Sequence, residues 1–117
     1  MAEDWSRPVV HWEIEAKDPE KSAAFYGELF NWKIGEGAVR QIGPGIGAPE
    51  TITGHIRTGE RPATVLYIQV LDLRDTLARV PGLGGTVLRE PFDPPGGGPT
   101  LASITDPEGN RVMLVQQ

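Results

Sequence analysis

The fold is decided by residues 9–30, VVHWEIEAKDPEKSAAFYGELF, in which a strand-like run leads to an Asp and then to a helix-like run. Asp18 is a suitable N-cap for that helix, and Pro19 fits its first position, where no backbone N–H is needed. Residues 65–80, VLYIQVLDLRDTLARV, repeat the same order, and Asp72 opens a second, shorter helix. The two copies lie about half the chain length apart. This spacing indicates two modules, each of which needs the other to cover its apolar face.

Each helix-like run is followed by strand-like segments. In the first half these are residues 32–34, 39–42 and 51–56, and a Gly- and Pro-rich loop joins the last two. In the second half they are residues 86–88, 101–105 and 111–115. The sequence Asp106-Pro107-Glu108-Gly109 has the residues of a type I turn, so the last two segments are predicted to form a β-hairpin. The sequence therefore predicts an α+β chain with the order β-α-β-β-β, twice.

The composition excludes several classes of protein. The 117 residues suffice for one domain with a stable core, and the absence of Cys excludes disulfides, thiolate nucleophiles and Cys-based metal sites. A net charge of −5 disfavours nucleic acid as a partner. No apolar run reaches the roughly 18 residues that span a membrane, and the acidic N-terminus lacks the features of a signal peptide. We therefore expect a cytoplasmic protein without a membrane or nucleic-acid partner.

Five segments resemble the vicinal oxygen chelate superfamily, the group of glyoxalases, bleomycin-resistance proteins and extradiol dioxygenases. They are residues 11–14, 18–32, 67–72, 84–85 and 106–110, among which DPEKSAAFYGELFNW and DPEGN carry the strongest similarity. The resemblance spans essentially the whole chain. It implies a single domain over residues 1–117, made of two βαβββ modules at about 7–60 and about 62–117. It also implies a cupped mixed sheet with the helices on its outer face, and a homodimer.

The resemblance also indicates where metal-dependent members of the superfamily hold their ion. One ligand lies on the first and one on the last strand of each module, which here gives His11, a position within residues 53–56, Val65 and Met113. Val65 has no donor atom, and the thioether of Met113 prefers soft ions. The register of residues 53–56 stays open, so that His55 is a candidate ligand and Glu13 could supply a third. We therefore expect no cofactor, with a divalent metal at His11 and His55 as the alternative.

Candidate site residues follow from the alternation of the strands. His11 and Glu13 share one face and are the candidate catalytic residues, since the pKa of a His lies close enough to neutrality for acid–base chemistry. The candidate ligand-binding residues lie on strands of the second module, apart from Trp32 at the rim of the first. They are Val65, Tyr67, Gln69, Arg111, Met113 and Trp32. A mostly apolar set with a few polar tips is typical of an organic-ligand pocket, but it equally fits an ordinary core.

Three functions are compatible with this pattern. The first is binding of a small organic molecule in a concave cup without the full metal site, for sequestration or simple acid–base chemistry. The second is a metal-dependent lyase or isomerase of glyoxalase type, which needs His11, His55 and a carboxylate to converge. The third is a non-catalytic interaction module that keeps the fold. The superfamily includes isomerases, lyases, dioxygenases and drug-sequestering proteins, so the fold alone does not choose among these functions.

Overall fold

The computed structural model describes residues 6–42 and 52–116 of the chain. It divides into two compact units, and each has its own hydrophobic core. One unit spans His11–Val65, and the other combines the described residues before His11 with those from Leu66 onward. Within the described ranges, no helix is long and apolar enough to cross a membrane.

The first unit is a three-stranded sheet with one helix packed on it. Strand β1 (Val9–Ala16) leads into helix α1 (Pro19–Phe30), and strands β2 (Val39–Ile42) and β3 (Thr53–Thr58) follow. β3 lies between the other two strands, parallel to β1 and antiparallel to β2. The core lies between this sheet and α1, so the opposite face of the sheet is left for polar side chains. The core residues are Ala16, Ile42 and Ile56, with Trp12, Ile14, Ala23, Tyr26, Trp32 and Ile34 packed against them.

The second unit repeats the plan with four strands. Strand β4 (Ala63–Gln69) begins in the last residues of the first unit and continues into the second. The elements that follow are α2 (Leu73–Arg79), a 3-10 turn at Pro81–Leu83, β5 (Thr86–Phe92), β6 (Thr100–Thr105) and β7 (Arg111–Gln116). The strand order is β4-β7-β6-β5, in which β4 and β7 are parallel and the other pairs antiparallel. The core between the sheet and α2 consists of Val70, Leu73, Leu77, Ala102 and Leu114. The α+β class predicted from the sequence is confirmed.

Both helices begin where the sequence predicts, because an Asp side chain caps each of them. Oδ1 of Asp18 accepts a hydrogen bond from the backbone N–H of Lys21 at 3.1 Å, directly before α1. Oδ1 of Asp72 accepts in the same way from the backbone N–H of Asp75, also at 3.1 Å, before α2. The repeated Asp is thus the N-cap of the helix in both units.

The strand predicted at residues 32–34 is reduced to a single bridge, which pairs Ile34 with Ile42. Asn31 ends α1 in the left-handed conformation, with a φ of 60°. The ring of Trp32 then stacks on Tyr26 of α1, with ring centroids 5.1 Å apart. Because Trp32 is held against the helix, the segment meets β2 at one point only. The prediction of a full strand here was wrong.

The predicted hairpin is confirmed by the turn between β6 and β7. The N–H of Gly109 donates to the carbonyl of Asp106 at 3.0 Å, and Gly109 adopts a φ of +89°. Oδ1 of Asp106 also accepts from the backbone N–H groups of Glu108 and Asn110, each at 2.9 Å. The Asp side chain and the glycine together set the turn that the sequence indicates.

Other expectations stay predictions. They are the module bounds of 7–60 and 62–117, the shared cup, the homodimer and the cytoplasmic location. Thr51, which the sequence places in the strand before His55, lies outside the described residues.

Candidate functional site

One face of the first unit is lined by polar side chains. Alternation along β1 turns Trp12 and Ile14 toward α1, and it therefore turns His11, Glu13 and Glu15 to the other side of the sheet. The parallel register with β3 pairs these three with Thr53, His55 and Arg57 in turn. We call this set of six residues the polar face: His11, Glu13, Glu15, Thr53, His55 and Arg57.

Hydrogen bonds join three members of the polar face into a continuous row. His11 Nε2 lies 2.7 Å from His55 Nδ1, and His55 Nε2 lies 2.9 Å from Glu13 Oε1. We call these three residues the His–His–Glu chain. At its outer end, Thr53 Oγ1 lies 2.9 Å from His11 Nδ1. At its inner end, Arg57 Nε donates to Glu13 Oε1 at 3.2 Å.

Burial increases along the His–His–Glu chain, from His11 through His55 to Glu13. The Glu13 residue is 1 % exposed and His55 is 6 % exposed, whereas His11 is half-buried and Thr53 is exposed. A buried carboxylate is costly unless charged and hydrogen-bonding groups compensate it. Here Arg57 supplies the charge: it bonds Glu13 through Nε and reaches Glu15 Oε1 through Nη2 at 3.0 Å. The buried end of the chain is therefore fixed, and only its His11 end reaches solvent.

The pKa of His11 is expected to lie below its ordinary value of 6.5. Burial lowers this pKa most and the charge of His55 lowers it further, while the Glu13 carboxylate acts in the opposite sense. Because the pKa is depressed by folding, His11 contributes stability that is present above the unfolded value of 6.5 and is lost as the pH falls through the folded-state pKa. NMR titration of the ring protons measures the folded-state pKa. A pKa at or above 6.5 contradicts this expectation.

Four of the predicted ligand-binding residues lie in the second unit. Register pairs Tyr67 with Met113 and Gln69 with Val115, and the residues between them, Ile68 and Leu114, pack toward α2. Tyr67, Gln69 and Met113 therefore lie on the sheet face opposite α2, which is the strand phase that the sequence predicts. Arg111 starts β7 on the same face.

Burial separates the apolar members of this predicted set from the polar ones. Val65, on β4, is 1 % exposed and Met113 is 8 % exposed, while Tyr67, Gln69 and Arg111 are of intermediate exposure. Their role in binding a ligand stays a prediction.

Trp32 is not brought together with the polar face. Its ring lies on the α1 side of the first sheet, stacked on Tyr26 and 5.6 Å from the ring of Trp12 between centroids. This position serves the packing of α1 rather than the side of the sheet that carries His11.

Three members of the polar face were missed in the sequence: Glu15, Thr53 and Arg57. Residues 53, 55 and 57 alternate along β3, so a known register would have placed all three beside His11, Glu13 and Glu15. The sequence before β3 is a loop rich in Gly and Pro, from which no register can be counted. The alternation of side chains along β3 could be read from the sequence, but the register of β3 against β1 could not.

The donor atoms of the polar face do not fit a divalent ion. Two nitrogens held by one tetrahedral ion at about 2.1 Å each would lie roughly 3.4 Å apart. His11 Nε2 and His55 Nδ1 are 2.7 Å apart and share a proton instead. Glu13 lies at the opposite nitrogen of the His55 ring, so one ion cannot contact His11, His55 and Glu13 together. Within residues 6–42 and 52–116, no group of three or more His, Asp or Glu side chains could hold a metal ion.

Comparison with known proteins gives one family and a shared fold. A family described as a glyoxalase-like domain matches residues 11–115, and no functionally curated protein matches the chain. The Mn(II)-bound glyoxalase from Novosphingobium aromaticivorans is 23% identical with a TM-score of 0.67, over 96% of this chain and 40% of that one. A glyoxalase/bleomycin resistance protein/dioxygenase superfamily member from Vibrio splendidus 12B01 is 13% identical with a TM-score of 0.65. The match covers 96% of this chain and 100% of that one. Methylmalonyl-CoA epimerase from Mycobacterium tuberculosis is 14% identical with a TM-score of 0.62. The match covers 99% of this chain and 95% of that one. At these identities the solved structures show the fold alone.

Proposed function

Because the chain belongs to the glyoxalase-like domain family of the vicinal oxygen chelate superfamily, we propose that it binds a small organic molecule through His11 on the polar face, without a metal ion. The observation that supports this proposal is the His–His–Glu chain, which commits the potential metal ligands to one another. His11 is the member of the chain that is only half-buried.

The polar face offers a ligand few but well-placed groups. Thr53 and His11 present a hydroxyl and an imidazole edge side by side at 2.9 Å. A hydrogen bond to such groups contributes about 1 kcal/mol each, so they set orientation more than total affinity. The His11 side chain carries a depressed pKa and is therefore mostly neutral at neutral pH, a form that can accept a proton or a hydrogen bond.

A metal-dependent lyase or isomerase of glyoxalase type is the competing function. It would need His11 and His55 to separate and a further donor to approach, whereas both rings are held by hydrogen bonds that run into a buried carboxylate. The proposed function therefore contains no step through a metal ion.

Calorimetric titration with Mn²⁺, Zn²⁺ and Ni²⁺ distinguishes the two functions. We expect no tight stoichiometric binding by the wild-type chain. One tightly bound ion per chain, lost in His11→Ala, would overturn the proposed function in favour of the metal-dependent one.

A fragment screen read by NMR tests the binding itself. We expect neutral fragments that shift the His11 ring signals, that still bind in the presence of a chelator, and that bind at least ten-fold more weakly to His11→Ala. Gln41→Ala is the matched control, since Gln41 is an exposed polar residue that pairs with His55 on the neighbouring strand. If no fragment binds at His11, the domain is better described as an interaction module.

A further inference from the structure

We propose that Glu13 and His55 fix the tautomer of His11, so that its Nδ1 is a hydrogen-bond acceptor and the site takes neutral molecules that carry a hydroxyl group. This inference rests on the proposed function for its ligand, but the tautomer itself can be measured without one. Glu13 and His55 are then positioning residues, and His11 is the residue that touches the ligand.

The donor and acceptor of each hydrogen bond in the His–His–Glu chain are set at its buried end, at Glu13. Glu13 Oε1 accepts from Arg57 Nε at 3.2 Å, and a guanidinium can only donate. The same oxygen lies 2.9 Å from His55 Nε2, so this nitrogen carries the proton and donates to it. The opposite tautomer would turn the Nε2 lone pair toward the carboxylate oxygen in a site that is almost closed to water. In its neutral form, His55 is thereby an Nε2–H ring with its lone pair on Nδ1.

The tautomer of His55 in turn determines which nitrogen of His11 is protonated. Nδ1 of His55 is an acceptor and lies 2.7 Å from His11 Nε2, so His11 Nε2 carries the proton that lies between the two rings. A neutral imidazole has one donor and one acceptor, and Nε2 is the donor of the neutral His11 ring. Its remaining nitrogen, Nδ1, is therefore the acceptor. The Thr53 hydroxyl 2.9 Å away completes the row by donating to it.

The partner of Nδ1 indicates the class of ligand. Thr53 is an exposed residue, and a hydroxyl can rotate, so a ligand hydroxyl can replace its hydrogen bond to Nδ1. A carboxylate or phosphate ligand has no proton to donate there. The polar face also carries the carboxylates of Glu13 and Glu15, which are bonded to the guanidinium of Arg57. An alcohol, enol or phenol can donate a hydrogen bond to His11 Nδ1, whereas an ionised acid cannot.

The tautomers can be read directly from imidazole nitrogen signals. His11 and His55 are the two histidines of the chain, so a long-range ¹H–¹⁵N spectrum of the labelled protein contains two rings. Above the titration of His11 we expect both rings to show a protonated Nε2 and an unprotonated Nδ1. A protonated Nδ1 on His11 overturns the inference, whatever the protein binds.

A variant tests whether Glu13 is the origin of this order. In Glu13→Ala the Nε2 of His55 loses its acceptor, so we expect His11 to become a mixture of tautomers. Glu28→Ala, at an exposed site on α1, should leave the wild-type signals unchanged. An unchanged His11 tautomer in folded Glu13→Ala overturns the role of Glu13. If that variant does not fold, the tautomer of wild-type His11 decides the inference alone.

Benzyl alcohol and benzoate test the class of ligand, because they share a ring and differ in the donor group. We expect benzyl alcohol to shift the His11 signals and benzoate to bind at least ten-fold more weakly. Benzoate binding as tightly as benzyl alcohol overturns the assigned class. Binding of neither probe, together with an empty fragment screen, overturns the proposed function, while the tautomer assignment still stands or falls on the nitrogen spectrum.

Discussion

Replacing Glu13 by alanine is expected to lower the free energy of unfolding by about 3 kcal/mol. Glu13 is 1 % exposed and accepts hydrogen bonds from both His55 and Arg57. Its loss leaves a buried imidazole N–H without an acceptor and removes the carboxylate that compensates a guanidinium. Breaking a buried ion pair from one side costs about 3–5 kcal/mol, and the low end applies because the Arg57 side chain is 36% exposed and can turn toward water. Chemical denaturation followed by tryptophan fluorescence measures the change.

The matched control for this variant is Glu28→Ala, which deletes the same side chain at an exposed position on α1. It should change the free energy of unfolding by less than about 0.5 kcal/mol. Equal effects of the two substitutions would show that the buried carboxylate does not organise the polar face.

Replacing Gly54 by alanine is expected to destabilise the protein by about 2–3 kcal/mol. A Cβ atom at this position would lie 2.3 Å from two ring carbons of Trp12, the residue that pairs with Gly54 across β1 and β3. Trp12 has little room to withdraw, because its Nε1 donates to the carbonyl of Ile52 at 3.2 Å and its ring packs near Trp32. Thermal unfolding, checked by chemical denaturation, measures the loss.

Gly82→Ala is the control for Gly54→Ala, since a Cβ at Gly82 meets no atom within 4 Å and the residue has no left-handed φ. It should be close to neutral. Adding Trp12→Leu to Gly54→Ala should recover part of the loss, because the smaller side chain relieves the overlap and the two sites are in contact. A neutral Gly54→Ala would mean that the Trp12 ring does not lie across β3.

The same glycine links the core to the candidate site. Gly54 stands between Thr53 and His55, so the backbone that carries both polar side chains passes directly under the Trp12 ring. A displacement of β3 by a new Cβ would move His55 relative to His11. We therefore expect the nitrogen signals of both rings in Gly54→Ala to differ from those of the wild type.

Much of the fold follows from local sequence. The pair Asp18-Pro19 starts a helix because a carboxylate and a proline suit its first turn, and Asp106 with Gly109 sets a turn for similar local reasons. Alternation predicted which side of β4 and β7 carries Tyr67 and Met113, because successive side chains of a strand point to opposite faces. The segment at Trp32 was mispredicted, since the contact of its ring with Tyr26 of the helix decides its course.

The candidate site was only partly predictable. His11 and Glu13 share a face of one strand, so their common orientation could be derived from spacing alone. Their connection runs through His55 on another strand, about forty residues away in the chain. No local pattern reports a parallel register between strands joined by a helix and an irregular loop.

The amino-acid sequence by itself determined the repeated plan, the two capped helices, the hairpin and the side of β1 on which His11 stands. These features depend on interactions within a few residues, whose energies the local residue types set. Only the tertiary structure decided that His11, His55 and Glu13 form one row of hydrogen bonds, and that His11 and His55 are held too close together for one ion. The reason is that atoms within 3 Å of each other come from two strands, and their distance depends on strand register and on the close approach of Gly54 to Trp12.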